Sequence, residues 1–441
     1  MRFIACLIIA AFFIAPARAE DGSGRIRLEF WHGMSAAQGR CVNEITELFN
    51  KSQDKYQVQA IYQGQYNTLS QKLIASCYAG RQPALSQMYP SWAYRFYRYG
   101  YLLPIDEFLK NDAEFREKEL PDFFPTMLQE NTLKHPAKEK AELVALPFNK
   151  SIYMLCVNQT RMEAAGWKEP PKTWAEMRKL AEALTVHDPD PTKTKFGFAS
   201  RPLIEDLTVE AFSANKQLMD EDTGTVNVDS PEVIAAMEFV YDLVSKHDDE
   251  ESKKKGLKQI GFVEPSYLNG AFGAEKVSMY VCSTASFSFN DSAVGNKFIW
   301  RAYRMPSRDE NTPGKTLMQG TNVGIFSGLT DEQKQGAWEF LKFLTSRDMT
   351  AKWSRETGYM PVRKSARETP LLKERIERDP SFANAIAILE EASFEPRFGW
   401  WESARNLLNR EVEAVLLGRK KADDAMKFAA NEIREMKKNA D

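Results

Sequence analysis

Ile26-Arg27-Leu28-Glu29-Phe30 alternates apolar with charged side chains, the period-two pattern of a half-buried strand. Val42, Ile45, Leu48 and Phe49 then recur at helical spacing. Tyr56, Val58, Ala60 and Tyr62 return to alternation. Leu69, Leu73 and Ile74 mark a second helix that stops near Gly80, and residues 84–89 form a short strand candidate. Strands alternating with helices predict an α/β domain built on a mainly parallel sheet.

Outward from this stretch the same signals continue. Residues 112–142 are polar and charged and read as a surface excursion, whereas residues 143–157 are apolar and β-branched, as in a buried strand. Thr173 and Glu176 have the spacing of a capping box ahead of the stripe Trp174, Met177, Leu180, Ala181 and Leu184. Ser230-Pro231 opens a further helix with serine at the N-cap and proline at the first turn. The charge run at residues 248–255 reads as a solvated loop. Residues 277–281 and 298–303 are strand candidates, Thr330 with Gln333 is a second capping box, and residues 375–397 and 404–437 are helix-rich.

The chain has 441 residues, room for two or three domains with an ample core. Lys+Arg total 59 against 61 Asp+Glu, a net charge of −2, which argues against a broad nucleic-acid surface. After residue 20 there is no apolar run long enough for a spanning helix. His32, His135, His187 and His247 are dispersed, and neither an HExxH nor a CxxC motif occurs, so neither a metal site nor a cofactor is expected.

Met1-Arg2, an apolar stretch over residues 3–16 and the small-x-small triplet Ala17-Arg18-Ala19 read as a secretory signal spanning residues 1–19. Export to the periplasm follows. Cys6 leaves with the signal, and Cys41, Cys77, Cys156 and Cys282 permit three pairings. Cys41 and Cys77 share the first strand–helix stretch and are the expected bridge. Cys156 and Cys282 lie in strand-like runs, where two buried free thiols are the alternative reading.

Six motifs in order carry a resemblance. They are Phe30-Trp31-His32-Gly33-Met34, Tyr62-Gln63-Gly64-Gln65-Tyr66, Leu146-Pro147-Phe148-Asn149-Lys150-Ser151, Pro170-Pro171-Lys172-Thr173-Trp174, Asn269-Gly270-Ala271-Phe272 and Thr357-Gly358-Tyr359-Met360-Pro361-Val362. Together they resemble the family 1 extracellular solute-binding proteins, over nearly the whole chain that follows the signal. The resemblance implies an α/β, two-lobe periplasmic binding protein fold of class II type, with a hinge and an interlobe ligand cleft. Residues 26–147 and 303–347 would form lobe 1, and residues 148–302 and 348–441 lobe 2. It implies a monomer that binds a small molecule, delivers it to the membrane permease of an ABC importer and does no chemistry on it. A glycerol phosphate or a glycerophosphodiester is the implied ligand.

The resemblance carries ligand contacts onto Tyr66, Ser151, the hydroxyl loop from Ser283 to Ser286, the backbone of Gly320, Tyr359 and Arg397, the last as a guanidinium fork for phosphate. One position departs from the family. Where glycerol-phosphate receptors carry a glutamate that accepts the glycerol hydroxyls, this chain has Pro90, followed by Ser91 and Trp92. Trp92 and Trp400-Trp401 offer an aromatic wall of the kind that stacks on sugars or surrounds a choline-like cation. An oligosaccharide receptor is therefore the rival ligand class. A secreted hydrolase built on a carboxylate pair is the rival of another kind, and neither a Ser-His-Asp arrangement nor a GxSxG motif supports it.

Overall fold

The computed structural model describes residues 24–440 apart from 222 and 249, so the signal reading lies outside the described residues. Thirteen strands are present among them. The first three, β1 (Ile26–His32), β2 (Tyr56–Tyr62) and β3 (Leu85–Met88), match the opening alternation. Three short strands follow, β4 (Leu102–Leu103), β5 (Thr132–Lys134) and β6 (Ala141–Leu143). The remainder are β7 (Leu146–Asn158), β8 (Phe196–Ser200), β9 (Gly261–Val263), β10 (Val277–Ser283), β11 (Trp300–Tyr303), β12 (Thr316–Phe326) and β13 (Ala392–Phe394).

The main sheet runs β2-β1-β3-β12-β7-β10-β8-β9. Its wings are parallel, β1 with β2 and β3 on one side, β8 with β9 and β10 on the other. Its middle is antiparallel, because β7 and β12 pair with each other and with the inner strand of each wing. The expected mainly parallel sheet thus becomes a mixed one: two α/β units are joined by two strands that cross between them in opposite directions.

All 13 residues of β7 are buried. Alternation along it feeds two cores, Ile152, Met154 and Cys156 entering one and Tyr153, Leu155 and Val157 the other. Helix starts follow the sequence signals closely. Thr330 and Gln333 form a full capping box, and the Ser230 hydroxyl accepts from the Val233 N–H at 3.4 Å. Thr173 caps Glu176 N–H at 3.2 Å, but the Glu176 carboxylate turns to the Lys172 N–H at 2.7 Å instead of closing the box.

Three expectations are corrected. Residues 112–142 are not a mere surface excursion, since Phe115, Phe123, Phe124 and Met127 are buried in the first core. The charge run holds a short helix, Glu250–Lys254. The bridge joins Cys156 to Cys282, while Cys41 and Cys77 are free and buried. The sheet itself keeps the latter two apart: Phe30 of β1 and Cys41 belong to one core, whereas Trp31 packs against another that contains Cys77. Antiparallel β7 and β10 instead set Cys156 opposite Tyr280 and Cys282 opposite Met154, leaving the two cysteine Cα atoms 6.2 Å apart.

Candidate ligand-binding site

Two adjoining chambers open where the wings meet the crossing strands. The outer one measures about 1080 Å³ and the inner one about 200 Å³. Tyr66, Asn67, Tyr89, Glu205, Gln319 and Gly320 border both.

One wall, at Tyr66, is backed by a neutral network whose other members, Gln87, Asn149 and Thr321, border neither chamber. Gln87, the residue before the last of β3, accepts from the Gly33 N–H at 2.9 Å and donates to Asn149 Oδ1 at 3.0 Å. Asn149 Nδ2 donates to the Tyr66 hydroxyl at 3.0 Å, and the Thr321 hydroxyl donates to Asn149 Oδ1. Gln87, Asn149 and Thr321 are wholly buried. Burial holds the Tyr66, Tyr89 and Tyr359 phenols above their ordinary range, so they serve as neutral donors. The Tyr66 and Tyr89 rings meet edge to face at 5.1 Å, and Tyr89 meets Trp92 at 5.2 Å.

Gly320 is where a side chain is impossible. Its φ is +124°, and a Cβ there would stand 1.9 Å from the Asn149 carbonyl oxygen. Its own carbonyl accepts from Lys150 Nζ at 3.3 Å. Lys150 is buried and paired with Glu130, which borders the inner chamber; burial lowers the lysine and raises the carboxyl.

The other wall is charged. Arg201 follows β8 directly and donates through Nη2 to Asp206 Oδ1 at 2.6 Å, while its backbone N–H reaches Asp206 Oδ2 at 3.0 Å. Arg405 bridges Glu205 and Glu395. Gln319 Nε2 donates to Glu395 at 2.7 Å, and the Tyr153 hydroxyl donates to Gln319 Oε1 at 3.1 Å. Burial opposes the charge on Arg405, and Glu395 and Glu205 outweigh it, so the guanidinium is held above its ordinary value. Burial likewise works against Glu205, which Arg405 and Arg201 nevertheless hold below the usual range.

The structure distributes the expected contacts unevenly. Ser151, Ser283, Ser286 and Tyr359 border the outer chamber, with Tyr66 and Gly320 on the shared wall. In the hydroxyl loop Thr284 is buried behind, where its Oγ1 accepts from the Ile152 N–H at 3.4 Å. Ser91 and Trp92 border the inner chamber. Pro90 does too, as the first residue of the helix Pro90–Arg98, a position where a missing N–H costs nothing. Of the tryptophan pair, Trp401 borders the inner chamber, and Trp400 stacks on Phe398 at 5.2 Å.

Arg397 requires a correction, because it borders neither chamber. Its Nε donates to Glu221 Oε2 at 2.6 Å, Nη2 pairs with the same carboxylate, and Nη1 donates to the carbonyls of Gln129 and Thr132. The fork expected to hold phosphate is spent on tying three chain segments together. The chamber residues that sequence reasoning missed include Arg201, Glu205, Glu395 and Arg405, and it missed Gln87 and Asn149 in the network behind Tyr66. The motif Leu146 to Ser151 contained Asn149 without singling it out, and the charged residues had no local signal.

Among the described residues no helix is long and apolar enough to cross a membrane, and no group of three or more His, Cys, Asp or Glu side chains is placed to hold a metal ion. The chain is similar to the sn-glycerol-3-phosphate-binding periplasmic protein UgpB of Brucella abortus, at 25% identity over 430 residues covering 94% of this chain and 93% of that protein. Its fold is similar to UgpB from Mycobacterium tuberculosis in complex with glycerophosphocholine, with a TM-score of 0.77, 18% identity and coverage of 94% and 98% of the two chains. It is also similar to the GacH receptor of Streptomyces glaucescens, whose structures include a complex with acarbose, with a TM-score of 0.75, 17% identity and coverage of 94% and 99%. These neighbours share the two-lobe binding-protein architecture. The family model for bacterial extracellular solute-binding proteins matches residues 44–384, and the chain belongs to that family.

Proposed function

We propose that this protein is the periplasmic receptor of an ABC importer, and that it captures a neutral polyhydroxylated solute of oligosaccharide type for delivery to the membrane permease. The two lobes, residues 26–147 with 303–347 and residues 148–302 with 348–441, close on the solute about a hinge in a monomer. The observation that carries the choice of ligand is the charge balance of the lining. Among the described residues the cations that border the chambers are Arg201 and Arg405, both matched by buried carboxylates, while Glu130, paired with Lys150, and Glu402 add two further acids to the inner lining. The remaining polar lining is largely hydroxyl and amide, with tyrosine and tryptophan rings beside it, which suits hydroxyl groups and sugar faces better than a phosphate dianion.

A glycerophosphodiester is the second reading. The glycerophosphocholine named for the Mycobacterium tuberculosis relative favours it, and the sn-glycerol 3-phosphate named for the Brucella abortus relative shares its glycerol phosphate. So does the Tyr66–Tyr89–Trp92 chain beside Glu205 and Glu395, a setting for a cationic head group. Isothermal titration with maltotriose, glycerol 3-phosphate and glycerophosphocholine separates the two. Binding of maltotriose with little dependence on salt is the expected result. Binding of a glycerophosphate alone, weakening as salt rises, overturns the neutral-sugar reading in favour of the second.

A further inference from the structure

Glu130 ends the short helix Pro125–Glu130 and borders the inner chamber. Its side chain is 3% exposed, and its charge is answered by Lys150, which is wholly buried on β7. Lys150 Nζ donates to Glu130 Oε2 and to the Gly320 carbonyl at 3.3 Å, so the pair is pinned to the two crossing strands. The other carboxylate oxygen is unused. Glu130 Oε1 accepts no hydrogen bond among the described residues and is not sealed off. The Asn322 amide favours the charged form of Glu130, but Asn322 Nδ2 is both unpaired and sealed. The proton of the pair lies between Oε2 and Nζ, which leaves the Oε1 lone pairs free to accept.

The other acids at this chamber are placed differently. Glu205 and Glu395 are taken up by Arg405, and Glu402 is only half-buried. The Glu130–Lys150 pair is neutral as a whole, so it gains little from a cation, and its open oxygen has no proton to offer a phosphate. A hydroxyl brings the missing proton and is the group that fits. We infer that Glu130 is a ligand-binding residue, which accepts a hydrogen bond from a hydroxyl of the solute through Oε1 while Lys150 holds the carboxylate in place. This rests on the receptor reading above and adds to it the group that reads a hydroxyl in the inner chamber.

The test titrates maltotriose and glycerophosphocholine, both of which carry hydroxyls, into the wild type and then uses whichever binds. Glu130→Met combined with Lys150→Met removes the acceptor and its buried cation together, so no charge is left stranded. Glu130→Gln combined with Lys150→Met returns an acceptor oxygen at the same reach. The first variant should bind roughly tenfold or more weakly than the wild type, and the second should recover part of that loss. A merely structural ion pair predicts equal affinity in the two variants, since neither retains it. A crystal structure of the wild type with the bound probe needs no variant, and a ligand hydroxyl is expected within hydrogen-bond distance of Glu130 Oε1. Wild-type affinity in the first variant, an equal loss in both, or a bound probe whose hydroxyls all lie out of reach of Glu130 overturns the inference and leaves the receptor reading intact. Failure of both probes to bind the wild type overturns both.

Discussion

The two walls of the site solve one problem, burying polar groups beside a cavity, with opposite chemistry. At the neutral wall, Tyr66 and the Gln87, Asn149 and Thr321 side chains behind it exchange single hydrogen bonds and carry no charge. On the charged wall Arg201, Asp206, Glu205, Arg405 and Glu395 form ion pairs whose side chains are at most 18% exposed. Amides cost little to bury once paired, and their loss is local. Buried ions cost several kcal/mol each to desolvate, by rough estimate, and survive only as a matched set. The difference teaches that the neutral wall can be trimmed one group at a time, whereas the charged wall stands or falls together.

Arg405→Ala breaks that contrast most severely. It strands Glu205 and Glu395 in a buried setting, and the expected loss is about 3–5 kcal/mol of stability. Urea unfolding measures it, and a loss under about 0.5 kcal/mol would show that the wall is not a matched set. Asn149→Ala probes the other side. It removes the partner of Gln87, Tyr66 and Thr321, with an expected cost of about 1–3 kcal/mol in the same experiment and no dependence on salt.

The third signal is a slope. Glu210 lies on the helix Ile204–Ser213 with Glu205 and Asp206, but without a cation of its own. Burial pushes its carboxyl up to about 8, against the hydrogen bonds it receives from the Ser213 hydroxyl, at 3.2 Å, and from Trp174. The folded state therefore holds the proton more tightly than the unfolded chain, whose carboxyl titrates near 4.5. Its contribution to stability is intact below that value and is lost as pH rises toward about 8, by no more than about 1.4 kcal/mol per pH unit. Glu210→Gln should flatten thermal stability across this window. An unchanged slope would show that the third acid of this helix is ionised like Glu205.

Much of the frame was legible because it is local. Alternation at Ile26 to Phe30, the apolar run that became β7 and the Thr330 box each need only neighbouring residues. Ser151 and Ser283 border the outer chamber because each sits in or at the end of a recognisable strand, and Ser286 follows in the short helical turn after the second of these. The charged wall was illegible, since Arg405 meets a carboxylate 200 positions away. Arg397 was misjudged for the same reason: Glu221, which takes its fork, is 176 positions back. The cysteine pairing failed on topology, because chain proximity of Cys41 and Cys77 says nothing about which face of a sheet each helix covers. The polar composition of residues 112–142 hid Phe115, Phe123 and Phe124, three anchors in a segment whose other side chains are mostly wet.

The continuous strand β7 has a mechanical consequence. A connection made of loose loop swings freely, but here it is an antiparallel ribbon, β7 against β12, bonded from Met318 opposite Ile152 to Val323 opposite Leu146. Such a ribbon resists stretching and shear and yields mainly to twist and bend, so rotation of one lobe against the other meets an elastic restoring torque. The compliant point is the register shift between Thr321 and Asn322, next to Gly320 and opposite Asn149. In the closure proposed above, the pivot and the floor of the chambers would be the same few peptides, so that a solute stiffening them would change the resting angle between the lobes.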